Sequence, residues 1–440
     1  MRSVKIGVIG CGYVSDFYME SLPNHPELEV VGVADRNMDR ARIIAEHYGT
    51  KAFPSVDALL ADPTIKLVVN LTSPESHFEI NKAALLAGKH VYSEKPLAVK
   101  TSEGEALMAL AAERGLIVSG APCSILSETA QTMWRLVVDG AVGQPRLVYA
   151  ELDDSPIYLM KPEGWTSATG APWPYRNEYE SGCTLEHAGY YLTWLCAMFG
   201  PAVQMTSFSA CLIESKTPLP LDPADTPDFS VACITFASGV VARLTCSIIA
   251  PMDHRFRVIG TEGVLTTDEA WNYTAPVYLE RFSQLSLNAR KSISVRTSSL
   301  LQAIFGIRGK RVPFDAPSSM LARMWADIRS RHRRPLRALI KAIKSREIFS
   351  IDYFRGVASM AAAIEGRGPL PLSPDFLMHV TELTLAIQAA GTERPTFVPK
   401  TTFKPLTPPQ KAGAAEYSWQ TKPGLVTQAT DWLIALLHQH

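Results

Sequence analysis

The 440-residue sequence has only seven cysteines, at 11, 123, 183, 196, 211, 233 and 246, and no two of them form a C-x-x-C pair. An odd, scattered set excludes a disulfide framework and a structural zinc site of the usual spacing, and fits free thiols in a reducing cytoplasm. The opening MRSVKIGVIG lacks an A-x-A cleavage site and is broken by glycine, so it reads as a first strand and not as a signal peptide. No apolar run reaches membrane-spanning length without a charge or a proline. Internal repeats are absent. So is net charge, with 43 Lys+Arg against 43 Asp+Glu, although residues 281–350 hold 16 basic and 3 acidic residues and leave the remainder acidic. An apolar content of 47% with 20% charge describes a soluble globular protein. At this length two domains with an elaboration are expected.

Over the first 120 residues strand and helix patterns alternate. VKIGVIG (4–10), LEVVGVAD (28–35), KLVVNLT (66–72), HVYSEKP (90–96) and LIVSG (116–120) read as strands, with helices predicted over 14–24, 37–49, 56–63, 75–89 and 102–115. Repeated strand–helix–strand crossovers imply a parallel sheet covered on both faces. From about residue 122 the rhythm shifts to helices at 128–140 and 184–199, and then to consecutive alternating strands without helices between them. The expected fold is α/β. An N-terminal Rossmann domain (1–121) precedes an α+β substrate and oligomerisation domain (122–400) with an open, mostly antiparallel sheet. The second domain carries the basic insertion 281–350, and a C-terminal tail (401–440) follows with a short apolar helix near 426–437.

GVIGCGYVS places Gly7, Gly10 and Gly12 after the first strand, with Ser15 where a G-x-G-x-x-G/A fingerprint has its third small residue. Gly10 permits the tight turn, and Gly12 lets backbone amides approach a pyrophosphate at a helix N-terminus. Cys11, Tyr13 and Val14 complete the turn. Asp35 ends the second strand, where an acid accepts from both ribose hydroxyls and repels a 2′-phosphate. That favours NAD over NADP; Arg36 beside it leaves NADP open, since a guanidinium can stack on adenine or meet a phosphate.

With GVIGCGYVS stand NLTSPESH (70–77), GKHVYSEKPLA (88–98) and a helix over 182–200 ending in FGP. Together with FASGVVARLTCSI and IGTEGVL, these resemble the Gfo/Idh/MocA oxidoreductase family over nearly the whole chain except 281–350 and the tail. The resemblance implies that Lys95 of E-K-P projects between nicotinamide and substrate, next to a bond to Pro96 that is often cis. It places Thr72, Ser73, His77 and Glu94 along the cofactor cleft. A lysine desolvated there is expected to have a depressed pKa. The family pattern on the later helix, G-x-x-L-x-D-x-G-x-H, aligned on Leu185 and Gly189, puts His187 at the aspartate and Tyr191 at the catalytic histidine. Some members carry tyrosine there, so Tyr191 is expected to handle the proton with Lys95 stabilising phenolate, and His187 to relay it or bind a substrate hydroxyl. A branch of the family resembles NAD-dependent glycosidases, in which Glu186 or His187 serves as an additional base.

Helical spacing alone leaves a structural reading of that helix open, since buried histidines and tyrosines find partners without doing chemistry. Cys183 and His187, four apart, have no further ligand group near them in sequence, so no metal is expected. The loop WTSATGAPWPYRNEYES (165–181) suits a sugar ring, with Trp165, Trp173, Tyr175 and Arg176 as contacts alongside Lys95, His187 and Tyr191. Within the insertion, 329–347 reads as a basic amphipathic helix suited to an anionic lipid surface or substrate, with no nucleic-acid module around it. The expectation is a cytoplasmic NAD(P)-dependent dehydrogenase or reductase of a secondary hydroxyl or ketone of a sugar, polyol or nucleotide sugar, as a homodimer or homotetramer. The alternatives are the glycosidase and a non-catalytic NAD-dependent sensor or structural protein.

Overall fold

The computed structural model describes residues 3–307, 309–314, 351–391 and 396–409. The basic helix expected over 329–347 and the tail helix near 426–437 lie outside them.

Six strands build the first sheet: β1 (Val4–Ile9), β2 (Leu28–Ala34), β3 (Lys51–Ala52), β4 (Leu67–Asn70), β5 (His90–Ser93) and β6 (Val118–Gly120). All pairs are parallel and the order is β3-β2-β1-β4-β5-β6. The strands are apolar on both sides because helices cover both faces: α1 (Tyr13–Ser21), α2 (Met38–Tyr48), α3 (Val56–Leu60), α4 (His77–Leu86) and α5 (Thr101–Arg114). Local chemistry sets their ends. Asn37 caps α2 by accepting from the amides of Asp39 and Arg40, and Gly49 stops it with φ +69°. Strand order reverses between β1 and β4, and at such a switch point the carboxyl ends of the strands leave a crevice for a ligand.

The second domain begins with α6 (Glu128–Val138) and β7 (Pro145–Asp153), then α7 (Tyr175–Ser181) and α8 (Cys183–Phe199). There follow β8 (Ala202–Ala210), β9 (Phe229–Phe236), β10 (Val241–Ser247), β11 (Phe256–Gly260), β12 (Gly263–Thr267) and β13 (Val277–Arg281). After the short helices α9 (Gln284–Ala289), α10 (Ile293–Thr297) and α11 (Ser299–Ile304) come β14 (Lys310–Val312), α12 (Phe354–Ile364), α13 (Pro374–Gln388) and β15 (Thr396–Phe397). The nine strands run β14-β13-β12-β11-β7-β10-β9-β8-β15, with β7 and β10 parallel and the other pairs antiparallel. One face packs on α8 and α13 through Trp194, Leu195, Ile234, Leu244, Phe256 and Leu383, all buried. The opposite face is open, which explains the strict alternation of buried and accessible residues in β9 and β11.

One boundary differs from the sequence expectation. Helix α12 returns to the first domain, where Phe354, Val357 and Met360 pack with Ile6, Val8, Tyr18 and Val69. The sheet it covers lies more than two hundred residues earlier, and no local pattern reports that.

Candidate active site

The turn after β1 is built for close approach. Gly10 has φ +103°, and a Cβ there would lie 2.5 Å from the Leu71 carbonyl carbon, so only glycine fits. Gly12 faces open space, with nothing within 4 Å of where its Cβ would be. It is the N-cap of α1, and no side chain caps that end. The first amides of α1 are therefore directed at an open surface, the arrangement that receives a dinucleotide pyrophosphate. Tyr13 and Val14 are half-buried beside it, and Cys11 is buried. Asp35 accepts from the amides of Cys11 and Asn37, each at 2.7 Å, which fixes its carboxylate at the edge where an adenosine ribose would lie. Arg36 is exposed. Arg40, which the sequence reading did not single out, donates to the Cys11 carbonyl at 3.1 Å and to Thr169 of the second domain. These residues fit a dinucleotide.

At the carboxyl end of β4, Thr72 is half-buried and Ser73 exposed. His77 corrects an expectation: it is wholly buried, with Nδ1 2.6 Å from the Pro96 carbonyl oxygen and Nε2 2.9 Å from that of Thr72. It braces the two loops from behind and does not line the cleft. Glu94 is similarly engaged, accepting from the Tyr18 hydroxyl at 2.8 Å and from the Lys95 amide at 2.8 Å.

Lys95 follows directly, and its bond to Pro96 is cis. Its Nζ is ion-paired with Glu186 of α8. Burial alone would lower the lysine pKa, but its acidic neighbours, Glu186 above all, outweigh it and hold Lys95 above the ordinary lysine range. The expected depression is thus reversed, because the sequence did not reveal how many acids converge on one ammonium. Glu178, on α7, is 11% exposed; burial first, and then the Glu186 carboxylate, push it well above the usual carboxylate range. His187 Nε2 stands 3.6 Å from Glu178 Oε1 and 3.6 Å from Asp154 Oδ2. Burial, with Lys95 and His254 nearby, lowers His187 well below the ordinary histidine value, so it is neutral. Asp154 is pushed up to about 7, chiefly by burial.

Tyr191 does not join this group. It is fully buried, donates to the His254 carbonyl, and packs on Trp194 and Phe256 with ring centroids 5.4 and 5.0 Å away. Burial drives its hydroxyl far above the ordinary tyrosine range, and Lys95 plays no part in the shift. A helix turns about 100° per residue, so the position after Tyr190 points to the sheet instead of the cleft. Tyr190, one turn beyond Glu186, is on the cleft side, where burial and then Glu94, Glu186 and Glu178 raise its hydroxyl.

Arg176 is also corrected: it lies exposed on the outer side of α7, bonded to Glu180 at 3.0 Å and to the Pro220 carbonyl at 2.7 Å. Trp165 and Trp173 pack on each other at 5.0 Å across the stem of a short hairpin, and Tyr175 packs edge-on to Tyr179. Cys183 directs its thiol to the Cys246 carbonyl, 3.5 Å away. Among the described residues no group of three or more His, Cys, Asp and Glu is arranged to hold a metal. The sequence reading missed Glu178 and Asp154. Their one signal was position, in NEYES just before the helix and in LDD at a strand's carboxyl end.

Two family models match the chain: "Oxidoreductase family, NAD-binding Rossmann fold" over residues 4–121, and "GFO/IDH/MocA C-terminal domain" over 130–266. The chain is 27% identical over 274 residues to the dTDP-3,4-didehydro-2,6-dideoxy-alpha-D-glucose 3-reductase of Streptomyces violaceoruber, covering 62% of this chain and 75% of that one. It is 38% identical over 119 residues to the UDP-N-acetylglucosamine 3-dehydrogenase of Acidithiobacillus ferrooxidans, 27% of this chain and 37% of the other. Among solved structures, the WlbA dehydrogenase of Bordetella pertussis in complex with NADH and UDP-GlcNAcA superposes with a TM-score of 0.63 at 16% identity, covering 90% of this chain and 99% of that one.

Proposed function

The chain belongs to the Gfo/Idh/MocA oxidoreductase family, and from that premise we propose that it transfers a hydride between nicotinamide and a secondary hydroxyl or ketone of a nucleotide sugar. The observation that carries the reading is the Lys95–Glu186 pair, set where the carboxyl end of β5 meets α8 on the cleft side of the glycine turn. Bound there, the dinucleotide supplies the hydride chemistry. The Gly10–Gly12 turn and the open end of α1 would hold its phosphates, and Asp35 its adenosine ribose. Asp35 favours NAD, and Arg40 is already committed to Cys11 and Thr169. Lys95, kept as ammonium by its carboxylates, stabilises negative charge growing on the substrate oxygen. The named sugar-nucleotide relatives support the substrate class.

The open outer face of the second sheet, with Phe208 40% and Val241 37% exposed, supports a homo-oligomer. Among the described residues no helix is long and apolar enough to cross a membrane. A second reading, the NAD-dependent glycosidase, is favoured by one observation: Glu178 and Glu186 place two more carboxyl groups beside Lys95.

One assay tests both readings. Purified protein is given NAD+ with UDP-N-acetylglucosamine, and separately with nitrophenyl glycosides, while reduced nicotinamide and nitrophenol are followed. Stoichiometric NADH with the nucleotide sugar supports the dehydrogenase; nitrophenol at catalytic NAD+ supports the glycosidase. In either, Lys95→Ala is expected to lower kcat by about 10²-fold or more, the range for losing one preorganised charge at a reacting oxygen. Full activity in that variant would reject the site.

A further inference from the structure

Oxidoreduction of a carbonyl needs a proton as well as a hydride, and the tyrosine expected to carry it faces the other way. The groups that do face the site are Lys95 after β5, Glu178 on α7, Glu186, His187 and Tyr190 on α8, and Asp154 after β7, with His254 and Glu269 behind them. Lys95 and Glu186 are held to each other as an ion pair. Glu178 is different. Helix α7 buries Tyr179 and turns Arg176 and Glu180 outward to pair with each other, which leaves the Glu178 carboxyl directed inward. Among the described residues this carboxyl accepts no hydrogen bond, and the neutral imidazole of His187 stands 3.6 Å from it.

We propose that Glu178 is the proton donor of this site, delivering its carboxylic proton to the oxygen of a substrate carbonyl held against Lys95 and being recharged from Asp154 through His187. The inference rests on the hydride-transfer reading and deepens it by assigning the resting site to ketone reduction. Burial, and then the Glu186 carboxylate, favour the protonated form of Glu178 and together outweigh the opposing pull of Lys95. Neutral His187 holds one nitrogen between the two acids, 3.6 Å from each, and each gap closes with a small movement or one water. Asp154 is 23% exposed and near half-protonated at neutral pH, so it exchanges with solvent.

The step balances as follows. A bound reduced nicotinamide would supply the hydride, with its electron pair, to the carbonyl carbon and would itself be oxidised. The carbonyl π pair takes the Glu178 proton and becomes the O–H bond of a secondary alcohol, leaving Glu178 as carboxylate. A proton then passes from Asp154 to His187 Nε2 and on to Glu178, and solvent restores Asp154. Alcohol oxidation is the reverse and requires the carboxylate. Reduction therefore falls as pH rises through the raised Glu178 pKa, and oxidation climbs over the same interval.

Infrared difference spectroscopy of the full chain in mildly alkaline buffer tests the assignment without a substrate. A protonated-carboxyl band that persists there, shifts in D2O and is missing from Glu178→Gln alone is expected; its absence, or its survival in that variant, overturns the proposal. With UDP-N-acetylglucosamine and NAD+, and with the product and NADH in reverse, Glu178→Gln is expected to lose about 10²–10⁴-fold in kcat. Its NAD+ affinity should hold, and the alkaline fall in reduction should vanish. Asp154→Asn should keep the first turnover and slow the later ones. An unchanged pH profile in Glu178→Gln, or a first turnover in Asp154→Asn that slows with the rest, counts against the relay. If the wild type turns over no nucleotide sugar, the substrate reading fails while the infrared result still decides Glu178.

Discussion

A single residue step separates Tyr190, on the side of α8 that meets Glu94 and Glu186, from Tyr191 in the core. Tyr191 Oη serves the His254 carbonyl, and its ring fills space between Trp194 and Phe256. Tyr191→Phe is therefore expected to cost about 1–2 kcal/mol of stability, by leaving a buried carbonyl unpaired, and to leave kcat within a few-fold of wild type. Thermal melts and the NADH assay read the two effects separately, and a hundredfold loss of kcat at unchanged melting would return Tyr191 to the chemistry. The family pattern pointed to Tyr191 by its letters, but orientation on a helix depends on packing against the sheet, which the letters do not carry. Lys95 was legible because E-K-P sits at the end of a recognisable strand. Glu178 was not, since nothing in NEYES says which of its two glutamates faces inward.

Among the elements, the hairpin between Trp165 and Trp173 has a role its aromatic content obscured. Its stem is closed by the Trp173 amide donating to the Trp165 carbonyl at 2.9 Å, and its tip crosses to the nucleotide-binding domain. There the Thr169 amide and hydroxyl donate to Asp16 at 3.1 and 2.8 Å, while its hydroxyl and carbonyl oxygens accept from Arg40 at 2.8 and 3.1 Å. Arg40 in turn holds the Cys11 carbonyl inside the glycine turn. The tip thus fastens α1 and α2 together beside the open helix end. Thr169→Ala keeps the backbone bonds and loses those of the hydroxyl to two charged groups, worth about 1.5–3 kcal/mol in sum at this kind of site. NAD+ binding measured by calorimetry is expected to weaken roughly tenfold; an unchanged Kd would make the hairpin a spectator. Sequence composition suggested a sugar platform here because tryptophans in a glycine- and proline-rich loop often stack on ligands; in the structure these two rings pack against each other at a tilt of 44°.

For the molecule as a whole, the return of α12 makes the two domains dependent on one chain path. Phe354, Val357, Met360 and Ala361 complete the face of the first sheet that Tyr18 and Met19 begin. His25 and Asp352 add a link at 2.8 Å, and the Ser21 hydroxyl accepts from the Phe354 amide at 3.0 Å. Phe354→Ala is expected to destabilise the nucleotide-binding domain by about 3–5 kcal/mol, the usual range for emptying a fully buried phenylalanine site. Denaturant unfolding followed with and without NAD+ checks it, and a loss under 1 kcal/mol would show that α12 is only an adornment of that core.

The sequence by itself determined the α/β class, the parallel first sheet and the glycine turn after β1. Each of these rests on short-range rules: hydrophobic period, capping residues, and glycine where a side chain would strike the Leu71 backbone. Only the tertiary structure decided which carboxyl groups surround Lys95, that Tyr191 belongs to the core, and that α12 closes the first domain. Those outcomes depend on contacts between residues far apart in the chain, and the energy of a buried charge is set by neighbours that only folding brings near.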